Sequence, residues 1–165
     1  LLEEKIKRFT KKYNLSFDLA TFIVKSQNDE LFESLAQKFL KIKSAFIAET
    51  LGPTLLEIKR KYDVDTSHLT SSDFDKLFTL LSKDVIHKDI ILDVLLDMCK
   101  GKFDVKKYAS LGTEDIHKVI VDIVSKNKDA PFPALMGMCM KALAGKASGK
   151  FISTELKRIV EEGHK

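Results

Sequence analysis

Residues 134–150 read Ala-Leu-Met-Gly-Met-Cys-Met-Lys-Ala-Leu-Ala-Gly-Lys-Ala-Ser-Gly-Lys. The first part, from about Ala134 to Leu143, is a helix of small and sulfur-containing residues, and Gly145 ends it. Two glycines then let the backbone turn tightly. Ser148 is placed to cap a last helix, from about Gly149 to Glu162, whose stripe is Ile152, Leu156, Ile159 and Val160. Gly137 inside the first helix costs roughly 1 kcal/mol relative to alanine, so it is expected to permit close helix packing. A helix, a glycine corner and a second helix, with no strand signal, set the class of this segment.

The same helical period recurs upstream. Leu2, Ile6, Phe9 and Tyr13 fall on one helix face. Leu19, Phe22 and Ile23 mark a second short helix. Asn28-Asp29 stops it and caps a third, with Leu31, Phe32, Leu35 and Phe39 on one side. A longer helix over Ser44–Arg60 carries Ile47, Leu51, Leu55 and Ile58, and Pro53 inside it predicts a kink or a break. Thr70 and Asp73 form a capping pair ahead of Phe74, Leu77, Phe78 and Leu81. Ile90, Ile91, Val94, Leu95 and Met98 follow, closed by Gly101. Residues 101–112 read as a lysine-rich linker. Thr113 caps a helix with Ile116, Val119, Ile120 and Ile123, and Pro131 and Pro133 bracket a turn. The expectation is an all-α chain of two small helical bundles, a helical domain over 1–105 and a tail domain over 109–165.

Apolar residues make up 44% and charged residues 32%, which suits a folded core and argues against disorder. No apolar run approaches the roughly 20 residues that span a bilayer, and no signal pattern precedes the first helix. Leu1 in place of Met is what a piece of a longer chain would show. Cys99 and Cys139 are far apart and lack metal-site spacing, so free thiols in a reducing cytosol are expected over a disulfide. Charge is uneven: residues 1–61 carry 12 Lys/Arg against 8 Asp/Glu, residues 62–99 carry 3 against 8, and residues 100–165 carry 13 against 8. A polyanion would meet the basic ends, unless the imbalance is only a solvated surface.

Catalytic signals are absent. His68, His87, His117 and His164 sit on different segments without the spacing that pairs two ligands on a helix, so surface or capping roles are expected. Asp93 and Asp97 read as a solvated helix face. The run from Gly145 to Phe151 has three residues between its glycines where a P-loop needs four, and Phe where a Mg-binding hydroxyl belongs. No catalytic, cofactor or metal residue is assigned.

Two readings of that run remain. It is a solvated helix corner, or it grips a sugar-phosphate backbone with Lys141, Lys146 and Lys150, the Ser148-capped helix end, and glycines that allow close approach. The methionines before it are a core helix or a docking face.

The run from Ala134 to Lys150 resembles the signature of the GatB/YqeY tail-domain family: a glycine, then Met-Lys, then a Gly-Lys pair. Leu19-Ala20, Phe32-Glu33, the helix through Ile47–Leu51 and Thr113–Val124 follow the order of that family. The passage Leu56–Val64 and the form of the Gly-Lys pair resemble its archaeal E-type branch, although Ala144 stands where that branch usually has arginine. The resemblance implies a cytoplasmic parent ligase, a glutamyl-tRNA(Gln) amidotransferase. It would convert glutamate mischarged on tRNA(Gln) to glutamine, using ATP and Mg in a domain absent here and ammonia from an amidase partner subunit. The part present would grip and select tRNA(Gln), touching neither membrane nor DNA. The residues implied are Lys141, Lys146, Ser148 and Lys150, with Lys106 and Lys107 as secondary candidates. Two alternatives are a stand-alone YqeY-like protein and a helical protein-docking module.

Overall fold

Each apolar stripe becomes a helix in the computed structural model, which describes residues 1–108 and 113–163. No strand occurs among the described residues, so the class is all-α. The helices are α1 (Leu2–Lys12), α2 (Phe17–Lys25), α3 (Asp29–Lys38), α4 (Ser44–Glu49), α5 (Leu55–Lys61), α6 (Ser71–Ser82) and α7 (Ile91–Cys99). Then come α8 (Val105–Tyr108), α9 (Thr113–Lys126), α10 (Phe132–Ala142) and α11 (Gly149–Gly163).

Two compact units form. The first comprises Leu1–Lys83 with Ile91–Phe103, and the second Asp84–Ile90 with Asp104–Lys165. In the first, Ile6 and Phe9 of α1, Ile23 of α2 and Phe32 of α3 are buried, as are Ile47, Leu51, Ile58, Leu77, Phe78 and Leu95 further on. The rings of Phe9 and Phe32 lie 5.5 Å apart, a separation at which tilted aromatic pairs attract. The second unit has its own core of Ile116 and Ile120 from α9, Leu135 and Cys139 from α10, Leu143, and Ile152, Leu156 and Ile159 from α11.

Several local expectations change. At Pro53 the α-helix is interrupted, as the proline predicts, but without a full break: a π turn over Thr50–Thr54 joins α4 to α5, and Thr50, Thr54 and Leu55 all keep helical dihedrals. A wider turn accommodates a residue with no N–H to give the ladder. Gly52 in that turn faces α2, where a Cβ would come within 3.0 Å of Phe22. At α10 the helix starts before Ala134: Pro131 takes the N-cap and Pro133 lies in the first turn, where a missing N–H costs nothing. Asn28 occupies the N-cap of α3 without a side-chain cap bond. The Thr70–Asp73 capping box is complete. Thr113 is the first residue of α9, and the cap position before it lies outside the described residues.

Two further differences bear on function. Residues 101–112 are not all linker, because α8 forms within them with Tyr108 buried. Gly137 packs against nothing: it is exposed, and a Cβ there would meet open space. The buried side of α10 carries Leu135 and Cys139, so Gly137 falls on the solvent side, beside partly exposed Met138 and Met140. Both cysteines are free thiols, Cys139 buried and Cys99 half-buried, and burial pushes both up from the usual thiol value.

Candidate nucleic-acid interface

The corner between α10 and α11 is held by its backbone. The amide of Lys146 donates to the carbonyl of Leu143 over 2.8 Å, and Gly145 adopts φ +72°, a left-handed conformation that suits glycine. Gly145 also lies flat on Ile90, where a Cβ would come within 2.5 Å of the isoleucine Cγ2. Ser148 is the cap the sequence predicts: its Oγ accepts from the amide of Phe151 at 3.0 Å, and its carbonyl accepts from Ile152 at 3.0 Å. Lys150 follows in the first turn of α11 and is exposed. Lys141 is exposed in the last turn of α10.

The loop reaches α8. Lys146 Nζ donates to the carbonyl oxygen of Lys107 at 2.9 Å, so two lysine groups far apart in sequence meet here. Lys106 and Lys107 are exposed on α8. The surface therefore combines lysines from α8 and from the corner with a capped helix start, all suited to an anionic backbone. Among the described residues no three His, Cys, Asp or Glu side chains gather as metal ligands.

A second polar cluster sits on the other part of α11. Glu155 is buried, and its Oε1 lies 2.8 Å from His117 Nδ1 of α9 and in a short contact with Arg158 Nη2. Arg158 Nη1 donates to Glu162 at 3.1 Å. The Arg158 guanidinium, then the His117 hydrogen bond, hold the Glu155 carboxyl below its usual value despite burial. With Glu114 these side chains line a shallow recess of about 430 Å³. No sequence signal marks the pair, since its members are 38 residues apart. The other histidines are local: His68 approaches Asp65 at 3.2 Å, and His87 Nδ1 accepts from the Asp89 amide at 3.3 Å. His164 lies outside the described residues.

The GatB domain family model matches residues 30–160. The chain belongs to that family. The matched residues include parts of both helical units. This GatB-domain chain is 37% identical to the E-type subunit of the glutamyl-tRNA(Gln) amidotransferase of Methanococcus maripaludis over 97% of its length. It is 35% identical to that of Methanocaldococcus jannaschii over 98%, and 30% identical to that of Saccharolobus solfataricus over 96%. It spans only 27%, 28% and 28% of those relatives. No solved structure gives a significant match.

Proposed function

We propose that this chain is the tRNA-gripping part of an archaeal-type glutamyl-tRNA(Gln) amidotransferase. The observation that carries this reading is the similarity to the E-type subunit over 97% of the chain, against 27% of the relative. The lysine-bearing corner at Lys146–Lys150 supports it, with Lys141, Lys106 and Lys107 around it. On this reading ATP and Mg serve a catalytic domain elsewhere in the parent, and an amidase partner supplies ammonia there. The setting is the cytoplasm, and this part contributes grip and selection without catalytic residues. Its two helical parts, 1–105 and 109–165, hold the outside of a folded RNA by shape and phosphate contact, because base edges in paired RNA are poorly accessible.

The test is binding of tRNA(Gln) and of a non-cognate tRNA across a salt series. Phosphate contacts release counterions, so affinity should fall steeply with salt, with each contact adding about 0.7–0.9 to the log–log slope. Lys146→Ala with Lys150→Ala should weaken binding to both RNAs, and tRNA(Gln) should bind more tightly than the other. Binding indifferent to salt, or none at low salt, would rule this reading out in favour of protein docking through the exposed Met138 and Met140.

A further inference from the structure

The bond from Lys146 Nζ to the Lys107 carbonyl joins residues 39 positions apart. The helix it reaches, α8, has four residues, and a single turn of helix has little stability of its own. Contacts of three kinds are among those that hold α8. Asp104 closes its start, with Oδ1 accepting from the Lys106 amide at 3.1 Å and its carbonyl accepting from the Lys107 amide at 3.0 Å. Tyr108 is buried at its end. The Lys146 ammonium meets a carbonyl in the last turn, where carbonyls lack helical partners and a cation is favoured.

The other side of this tie is stiff. Lys146 follows Gly145, which is fixed in the left-handed region against Ile90, and its own amide is bound to Leu143. The ammonium is delivered from a backbone that has little freedom. Lys106 and Lys107 are exposed on α8, the helix that the ammonium reaches.

We propose that Lys146 is a positioning residue: it fixes α8 against the corner so that Lys106 and Lys107 meet the same RNA as Lys150. This rests on the RNA-binding reading above and adds to it. Lys146 then acts through α8 as well as by its own charge, so its removal withdraws contacts made by two other lysines. Costs within such a unit are not additive.

The experiment is a double-mutant cycle on the 165-residue chain, with Lys146→Met, Lys106→Ala and the pair, binding tRNA(Gln) across a salt series. Lys106→Ala should weaken binding on the order of two- to fivefold in the parent chain and lower the salt slope by about one contact. In the Lys146→Met background it should change affinity by less than about 1.5-fold. Lys146→Arg should restore the parent salt slope, because a guanidinium also donates to a carbonyl. Without RNA, the amides of Lys107 and Tyr108 should exchange with solvent faster in Lys146→Met. Additive losses, no rescue by arginine, or unchanged exchange would each overturn the proposal. A parent chain with no salt-sensitive tRNA binding would instead remove the functional reading, and the exchange comparison would still decide whether Lys146 holds α8.

Discussion

His117 Nδ1 lies 2.8 Å from Oε1 of Glu155, a carboxylate buried on α11. Arg158 keeps that carboxyl ionised, so the oxygen is an acceptor and Nδ1 must carry the proton. The Arg158 Nη2 atom, 3.3 Å from Nδ1, is then a close approach between two donors and not a hydrogen bond. In the neutral ring Nε2 keeps its lone pair. The pair ties α9 to α11 inside a unit whose core is otherwise apolar.

Substitution of Glu155 should show this in two ways. At neutral pH Glu155→Gln should lower stability by about 1.5–3 kcal/mol, the range for hydrogen bonds to charged groups, read from urea unfolding. Nitrogen NMR of neutral His117 should report the Nδ1–H tautomer in the parent chain, kept in Glu155→Gln, whose amide oxygen can still accept, and shifted toward the commoner form in Glu155→Leu, which offers no acceptor. An unchanged tautomer in Glu155→Leu would refute the assignment. The native carboxyl is depressed, so its stabilisation is complete above the ordinary value of 4.5 and is lost as pH falls through the native value. The gap between the parent chain and Glu155→Gln should close on acidification.

Glu33 makes the corresponding prediction for the first unit. Arg8 Nη1 donates to it at 2.8 Å and the Tyr13 hydroxyl makes a short bond to the same oxygen, bringing its carboxyl down to about 2. The native value is again below the ordinary one, so the stabilisation holds above pH 4.5 and fades between 4.5 and about 2. Glu33→Gln should cost about 1 kcal/mol near neutral pH and close to nothing at a pH of about 2, measured by urea midpoints at several pH values. A cost that persists at the acid end would mean packing, not charge, sets the contribution.

Gly145 separates two penalties. Alanine there must adopt a left-handed φ, at roughly 1–2 kcal/mol, and also press its methyl into Ile90, at about 1–3 kcal/mol. In a Gly145→Ala background, Ile90→Ala should recover the second cost and leave the first. Thermal unfolding of the four proteins in that cycle measures each part. Full recovery would show that the backbone conformation is not strained.

The sequence made most helices legible because their apolar stripes have a 3.6-residue period. The Ser148 cap and the Thr70–Asp73 box were legible because capping chemistry is local. What could not be read depends on tertiary partners. Nothing in Val105–Tyr108 announces a helix until Tyr108 is buried and Lys146 reaches Lys107. Gly137 looks like a packing glycine, yet which side of α10 faces inward is decided by Leu135 and Cys139. Pro53 argues for a break only if the helix cannot widen locally. The candidate lysines were legible as residue types, whereas the meeting of Lys146 with α8 required the fold.

Ser148 permits a substitution that separates stability from RNA binding. Its Oγ caps α11, so Ser148→Ala should cost about 1 kcal/mol and leave the lysines in place. Ser148→Asp keeps an acceptor for the Phe151 amide and adds a negative charge at a helix start, which favours the helix by about 0.3–1 kcal/mol. The same charge stands between Lys146 and Lys150 in sequence and would repel a phosphate. Stability should therefore rank Asp at or above Ser and Ser above Ala, while tRNA affinity should fall most for Asp, by severalfold at low salt. Melting temperatures and a salt-resolved binding series on the three proteins test both orders. If Ser148→Asp binds tRNA as tightly as the parent chain at low salt, the corner between α10 and α11 does not face the RNA backbone, and the interface lies elsewhere on the chain.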